Sequence, residues 1–166
     1  MAKRSLQQTT ITPTATAATT NLVDNTYPFV LQGGSATQKI NILEVYQGGQ
    51  AGASSPSIML LARDVVVAAT ATGGTHTDTP LDSTTAALAA PPLLGSGFTT
   101  KPQRSPTLIL LNLSFNAFGG IVRWVAAPGE EICSVGVAIN LGEVSLCAFT
   151  GGTTGLMGSH MIYEPF

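Results

Sequence analysis

From Tyr27 onward the chain consists of short apolar runs separated by Gly, Pro, Asn and Ser. Within the runs, apolar and polar residues recur with a period close to two, which is the repeat of a β-strand. This pattern is typical of an antiparallel β-sandwich, and no convincing amphipathic helix is present. We predict about nine strands, over residues 27–31, 39–47, 57–63, 65–69, 107–115, 121–126, 131–138, 143–149 and 160–163.

The segment 107–115 is the most apolar of these runs. Ile109, Leu111 and Leu113 fall on one face of a strand with Phe115, whereas Leu108 and Leu110 fall on the other face with Asn112 and Ser114. A strand that is apolar on both faces is expected to be covered on both faces. We therefore predict a buried strand here.

Two segments depart from the strand pattern. Residues 1–26 are rich in Thr and have no apolar periodicity, which predicts an extended N-terminal arm that becomes ordered on a neighbouring chain. Residues 70–106 form an unusually long connection without a charged residue between Asp82 and Lys101, and we expect a subunit contact there. The predicted organisation is an arm over 1–26 and a single sandwich domain over 27–166.

Charge is scarce in this chain. Only 10% of the residues are charged, compared with about 25% in an average soluble domain. No apolar run approaches the ~18 residues of a membrane-spanning helix, so we do not expect an integral membrane protein. A surface with so few charges is poorly protected against association, which favours a chain that is packed into an assembly.

The sign and distribution of the charges exclude another class of function. The net charge is −2 and the pI is about 5.5, and the Lys and Arg residues do not cluster as they do in nucleic-acid-binding proteins. Direct contact with DNA or RNA is therefore not expected. The polar segment 5–20 replaces the apolar stretch of a secretory signal, so we expect synthesis in a cytoplasm.

Few residues could carry out chemistry. His76 and Asp78 offer only two ligands for a metal ion, and His160 lies far away in the sequence. Glu130 and Glu131 are adjacent, so on a strand they would point to opposite faces and could not act as a carboxylate pair. No nucleophile motif is present. We assign no catalytic, cofactor-binding or metal-binding residue and expect no enzymatic activity and no cofactor.

Two pairs of residues predict local geometry. If 131–138 and 143–149 form a symmetric hairpin about Asn140, Cys133 and Cys147 lie opposite each other, and we expect them to be free thiols. Arg123 and Trp124 are neighbours on a strand and point to opposite faces. We expect Trp124 to pack in the core and Arg123 to reach a carboxylate, the alternative for Trp124 being an aromatic site for sugar.

The C-terminal part of the chain resembles small virion proteins of tailed bacteriophages. The likeness covers roughly residues 107–166, through the segment 119–132, the Gly pair at Gly151, the Gly-Ser-His sequence at Gly158 and the Glu-Pro sequence at Glu164, with a weaker echo at 42–49. The resemblance implies a β-sandwich or jelly-roll subunit, often trimeric, that decorates or cements a capsid or belongs to the tail. It implies no catalytic residue.

Two functions follow as expectations. The first is a capsid decoration or cement protein that contacts the major capsid protein, or other virion proteins, through its arm and loop. The second is a tail- or fibre-associated host-recognition module that binds carbohydrate, for which Trp124, Tyr27, Tyr46 or Tyr163 would stack on sugar. A low aromatic content of 6% disfavours the second function. The expected location in either case is the virion, after synthesis in a bacterial cytoplasm.

Overall fold

The computed structural model of the chain is all-β, as the apolar periodicity predicts. It describes residues 2–11, 14–15, 29–66, 69–71, 78–89, 93–95, 98–100, 102–136, 141–150 and 155–166. No helix occurs in these ranges, so the described residues include no helix that could span a membrane.

The described residues form fourteen strands. They are β1 (Arg4–Ile11), β2 (Thr14–Ala15), β3 (Phe29–Gln32), β4 (Lys39–Gly49), β5 (Pro56–Val66), β6 (Ala69–Ala71), β7 (Thr79–Pro80), β8 (Leu93–Gly95), β9 (Phe98–Thr100), β10 (Gln103–Asn116), β11 (Ile121–Val125), β12 (Ile132–Val135), β13 (Val144–Thr150) and β14 (Met157–Pro165).

Two six-stranded sheets contain most of the strands. Sheet A has the order β11-β4-β14-β1-β7, and β12 continues the β11 edge because it pairs with the other half of β4. Sheet B has the order β10-β5-β13-β3-β8, with the short β2 parallel to the end of β13. Strands β6 and β9 form a separate ribbon. All pairings other than the one between β2 and β13 are antiparallel, as expected for a sandwich.

The core lies between the inner faces of the two sheets. Strand β14 shows the period of two most clearly, because its residues are alternately buried and partly exposed along its whole length. Burying these side chains removes apolar surface from water, which stabilises the fold by roughly 25 cal/mol per Å². The fully buried apolar side chains of the main cluster are Leu6, Leu31, Ile40, Ile42, Val45, Met59, Leu61, Val144, Leu146, Met161 and Tyr163.

The N-terminal segment differs from the expected arm. Residues Arg4–Ile11 form β1, which lies between β14 and β7 within sheet A. The side chains of Arg4 and Leu6 are buried. The alternation is hidden in the sequence because a buried ion pair at Arg4 and an amide at Gln8 occupy inward positions that apolar residues usually fill. An arm that becomes ordered on a neighbour is therefore not confirmed for this strand, while residues 16–26 lie outside the described residues.

The long connection over 70–106 contains secondary structure that the sequence pattern did not predict. Strand β7 pairs with β1, and β8 pairs with β3, so parts of this connection extend both sheets. These strands are only two and three residues long, which is too short for a period of two to be recognised. The part that follows β7 is held at its start, where the Leu81 N–H donates to the carbonyl of Lys3.

The predicted hairpin about Asn140 is wrong. Cys133 lies on β12 in sheet A opposite Asn41, whereas Cys147 lies on β13 in sheet B opposite Leu60. The strands β12 and β13 belong to different sheets, so they are not partners. Both cysteines are free, as expected.

Gly49 is required by a close backbone approach at the end of β4. Its N–H donates to the carbonyl of Gly120 at 3.0 Å, and the turn that follows β10 passes directly over it. A Cβ atom at Gly49 would lie 1.9 Å from the carbonyl oxygen of Ala117, whereas a Cβ atom at Gly48 would meet nothing closer than a side-chain carbon of Ile121 at 3.8 Å. The two adjacent glycines therefore differ sharply in the space around them.

We predict that Gly49→Ala destabilises the protein by about 1–3 kcal/mol, because the backbone of the Ala117 turn must move. Gly48→Ala is the matched control and should change the free energy of unfolding by less than about 1 kcal/mol. Urea unfolding followed by tryptophan fluorescence measures both. Equal stability of the two variants would show that the turn does not pack on Gly49 as described.

Candidate functional site

The outer edge of β10 is open. Among the described strands, none pairs with β10 on the side away from β5. An unpaired edge presents a row of backbone N–H and C=O groups to any other strand, and proteins usually protect such edges with charges, prolines or bulges. The chain has no charged residue between Arg104 and Arg123, so the protection by charge is missing here.

The features of β10 that oppose pairing with another strand lie in its first half. Pro106 occurs there, and the register with β5 shifts between Gln103 and Leu111. From Leu111 to Asn116 the pairing with β5 is regular. This second half is the part of the edge that is best suited to accept another strand.

The prediction that residues 107–115 form a strand covered on both faces is wrong. Leu108 and Ile109 are 39% and 40% exposed, and Asn112 and Ser114 are also exposed. Ile109 and Leu111 of β10 pair with the adjacent residues Ala62 and Leu61 of β5, so β10 has one extra residue here, which is a β-bulge. The bulge interrupts the regular alternation of buried and exposed side chains along β10. The apolar side chains that the sequence pattern assigned to a buried strand are therefore at the surface.

The core is incompletely covered along the same side of the sandwich. Strand β11 lies beside β10, and several inward-pointing side chains of these two edge strands pack against the core but stay partly exposed. They are Leu111, Leu113, Phe115, Val122 and Trp124. We call this side of the molecule, made by β10 and β11, the open seam. Trp124 packs against the core as expected.

The outer face of sheet A carries a row of polar and aromatic side chains. Gln7, His160, Tyr46 and Arg123 are cross-strand neighbours on β1, β14, β4 and β11. The rings of Tyr46 and His160 are 5.2 Å apart and tilted. At the end of the row the guanidinium of Arg123 donates to both carboxylate oxygens of Glu44 at 2.7 and 3.0 Å, as expected for this arginine. These hydrogen bonds lower the pKa of Glu44.

One end of this row borders a depression of about 350 Å³ on the outer face of sheet A. We call it the polar depression. Its lining contains no Asp, Glu, Lys or Arg, and the residues are Gln7, Gln8, Thr9, Tyr46, Gly48, Gly49, Gln50, Gly119, Ile121, Gly158, Ser159 and His160. Because four of these are glycines, much of the surface is backbone.

A row of buried polar side chains lies next to the polar depression. Gln8, Ser159 and Gln47 are cross-strand neighbours on β1, β14 and β4. Gln8 Oε1, Ser159 Oγ, His160 Nε2 and both amide atoms of Gln47 have no hydrogen-bond partner among the described residues. Buried polar atoms without partners are rare because each costs about 1–3 kcal/mol. Gln8, Ser159 and Gln47 point to the inner face of sheet A, whereas His160 points to the outer face beside Tyr46, so the unpaired atoms lie on both faces of this end of the sheet.

A second polar cluster holds the start of β1 to the long connection. The buried guanidinium of Arg4 forms an ion pair with Asp78, and the hydroxyl of Tyr163 donates to the same carboxylate. Arg4 also donates to the carbonyl of Ala86 at 2.8 Å. Burial, together with the hydrogen bond to Asp78, raises the pKa of Tyr163. This cluster fixes the segment around Asp78 on the protein's own β1 and β14.

A third cluster lies inside sheet B. Asp64, Glu143 and Ser145 are fully buried, and the hydroxyl of Ser145 donates to Asp64. Gln32 donates to Glu143 at 2.8 Å. Burial raises the pKa of Asp64 to about 6, although hydrogen bonding with Ser145 and Glu143 acts in the opposite direction. Arg104 is also buried and lies opposite Asp64 in the register of β10 and β5.

The structure separates the residues that the sequence offered for chemistry. His76 and Tyr27 lie outside the described residues. Glu131 accepts a hydrogen bond from the Gly129 N–H in an exposed turn, as expected of a solvated turn residue. Tyr163 is buried, so it is not available to stack on sugar.

The two cysteines offer no reactive thiol pair. Cys147 is fully buried, and this burial raises its pKa well above the ordinary value, which makes the thiol unreactive. Cys133 lies in the other sheet. Within the ranges that the structure describes, no group of three or more His, Cys, Asp or Glu side chains is arranged to hold a metal ion.

Comparison with known proteins finds no matching protein family, no similar curated protein and no similar solved structure. Function is therefore inferred from the open seam, the polar depression and the composition of the chain.

We predict that Asp64 makes the stability of the protein depend on pH. Because its pKa is raised from 3.8 to about 6 in the folded state, the native chain binds more protons than the unfolded chain between these values. The contribution of this group to stability is then fully present below about pH 4 and is lost as the pH rises through 6, which amounts to about 1–3 kcal/mol. Urea midpoints measured from pH 4 to pH 7.5 report this change.

Asp64→Asn is the matching variant, since an amide oxygen still accepts the hydrogen bond from Ser145 without becoming charged. It should flatten this part of the pH profile. Asp82→Asn, at an exposed position whose carboxylate accepts hydrogen bonds from Thr84, should leave the profile between pH 5 and 7.5 unchanged. A profile for Asp64→Asn that falls as steeply as that of the unmodified protein would contradict the assignment.

Proposed function

We propose that this chain is a non-enzymatic structural subunit of a virion, which associates with copies of itself and decorates or cements the capsid surface. The observation that carries the proposal is the open seam. It combines an unpaired strand edge, a charge-free stretch of sequence and a partly exposed core. The link to a virion is taken from the resemblance of residues 107–166 to phage virion proteins.

Geometry favours a second copy of the chain as the partner at the open seam. Strand β10 has fourteen residues, which corresponds to an edge of about 46 Å at ~3.3 Å per residue. Its regular half, from Leu111 to Asn116, is uncharged, so two copies can lie antiparallel without placing like charges together. Each copy then forms hydrogen bonds with the unpaired backbone N–H and C=O groups of the other. The partly exposed side chains of Leu113 and Trp124 become more deeply buried.

The two edge strands of the open seam, β10 and β11, allow two kinds of closed assembly. Pairing of β10 with β10 relates two copies by a twofold axis, whereas pairing of β10 with β11 of the next copy is heterologous and forms a ring when the rotation between successive copies closes. The second arrangement is the one that a homotrimer would use. Stable interfaces bury about 800 Å² on each partner, so pairing along β10 has to bury neighbouring side chains of the open seam as well as the strand edge itself.

The proposed contacts with the shell differ from those expected from the sequence. The described parts of the N-terminal segment and of the long connection pack on the protein itself, through β1 and the Arg4–Asp78 ion pair. Among the large apolar side chains that are more than half exposed, only Leu81 (54%) lies in the described part of the long connection, whereas Phe118 (59%), Ile121 (70%) and Val125 (53%) lie on β11 or in the turn before it. We propose that the major capsid protein binds this part of the surface, with residues 16–26 as an additional contact.

The finer features of the proposal come from the same resemblance. They are a jelly-roll arrangement of the sandwich and a location on the virion, whereas an extended N-terminal arm and synthesis in the bacterial cytoplasm are proposed from the polar, Thr-rich composition of residues 1–26. The alternative function is a tail- or fibre-associated host-recognition module. It is supported by Tyr46, which is partly exposed on the outer face beside His160.

We predict that the purified protein is heavier than the 17.0 kDa of one chain and that Asn112→Lys combined with Ser114→Lys, at two exposed positions in the regular half of β10, shifts it toward the monomer. Charges on an edge strand oppose pairing with another edge, because the approaching copy carries the same charges. We expect the dissociation constant to rise at least about tenfold, which is 1.4 kcal/mol. Sedimentation velocity across a concentration series measures the effect.

Leu81→Lys is the control for this experiment. Leu81 is 54% exposed and follows β7, at the far edge of sheet A from β11. This variant should associate as the unmodified protein does. The unmodified protein remaining a monomer at high concentration would overturn the proposal, and so would an equal effect of the Leu81 and seam variants.

Localisation on particles tests the virion role. We predict that an antibody against the chain, applied to virions from the source of the gene, labels the capsid shell uniformly in immunogold electron microscopy. Removal of the gene should yield particles that lose their DNA at a lower temperature, because the added contacts at capsid joints are missing. Label confined to tail tips would favour the host-recognition module, and particles without label would contradict both functions.

A further inference from the structure

One row of inward-facing side chains in sheet A is polar instead of apolar. Gln8, Ser159 and Gln47 are cross-strand neighbours on β1, β14 and β4, and we call them the inner polar row. Ser159 lies between the buried side chains of Met157 and Met161 in the alternation of β14. The row therefore points into the space between the two sheets.

The inner polar row lies where the apolar core divides. The inward row before it on the same strands is Leu6, Met161 and Val45, and all three belong to the main core cluster. On its other side, Met157 belongs to a separate small cluster of buried residues that contains Ala148. Polar side chains thus form a layer between two groups of fully buried apolar side chains.

Buried polar atoms in this row need hydrogen-bond partners that the described residues do not supply. These atoms are Gln8 Oε1, Ser159 Oγ and both amide atoms of Gln47. Gln47 is fully buried and Ser159 is 4% exposed, so bulk water does not reach them. A buried polar atom that is left without a partner costs about 1–3 kcal/mol, and native proteins satisfy nearly all such atoms with protein groups or ordered water.

The chemistry of the row determines which ligand fits it. Two amides and a hydroxyl both donate and accept hydrogen bonds, and the row contains no charged side chain to balance an ion. A serine between two methionines fills less of the space between the sheets than its neighbours do. Adjacent strands lie about 4.8 Å apart, so a water molecule with hydrogen bonds of about 2.8 Å can link side chains on neighbouring strands.

We infer that the inner polar row binds about two buried water molecules, one between Gln8 and Ser159 and one between Ser159 and Gln47. The waters complete the hydrogen bonds of the row and join β1, β14 and β4 on the core side of sheet A. They also favour the observed register, because a shift of one strand by two residues would place its polar side chain against an apolar row. The inference does not depend on the proposed function, since the row lies inside a single chain.

NMR spectroscopy of the unmodified, ¹⁵N-labelled protein locates the waters. We expect the side-chain amide protons of Gln47 to show cross-peaks to water, with NOE and ROE signs that indicate a long-lived contact. Gln32 is the control within the same sample, because its amide is also buried but donates to Glu143 at 2.8 Å. The Gln32 amide should show no such cross-peak to water.

Gln47→Met and Gln32→Met form a matched pair of variants. Oxygen-17 relaxation dispersion counts long-lived buried waters through the water oxygen itself, so exchange of the Ser159 hydroxyl proton does not contribute. Gln47→Met should lower the count by about one water without lowering the urea midpoint, because no protein partner is lost. Gln32→Met should leave the count unchanged and lower the midpoint, because Glu143 loses a buried donor.

Three outcomes would overturn the inference. They are the lack of a contact between the Gln47 amide and water, an unchanged water count in Gln47→Met, or a midpoint that falls as far in Gln47→Met as in Gln32→Met. The last outcome would show that a protein group is the partner of Gln47. The NMR measurement needs no variant, so it decides the question even if a variant fails to fold. The state of association should be the same in Gln47→Met and the unmodified protein, which separates this test from that of the open seam.

Discussion

The need of every backbone N–H and C=O group for a partner governs the architecture of this chain. Two sheets satisfy most of these groups, and the apolar side chains between them form the core. The requirement is not met along the outer edge of β10 within the described residues. The same side of the sandwich leaves Leu113 and Trp124 partly exposed, so backbone pairing and core burial are both incomplete at one place.

Much of the fold could be predicted from the sequence, because β4 and β14 keep the period of two that an antiparallel sheet requires. Strand β1 was missed since Arg4 and Gln8 occupy inward positions, and a buried ion pair cannot be recognised from an apolar pattern. The burial of residues 107–115 was predicted wrongly because an edge strand can be as apolar as a central one. An apolar sequence indicates that a strand becomes buried, but it does not show whether the same chain or another chain buries it.

The candidate sites were harder to predict than the fold. The polar depression brings together Gln7, Tyr46 and His160 from three strands, and only the strand order makes them neighbours. A possible signal was the excess of amides and glycines near the ends of β1 and β4, although such residues also occur in turns. Arg123 and Trp124 could be assigned correctly because adjacent residues on a strand must point to opposite faces.

The buried ion pair of Arg4 has a consequence for the behaviour of the protein in solution. The chain has seven basic and nine acidic residues, and Arg4, Asp64, Arg104 and Glu143 are buried. Still fewer charges are then left to keep molecules apart than the composition suggests. Contacts between such surfaces depend mainly on the release of water from apolar groups, so they should be insensitive to moderate ionic strength and should weaken on cooling.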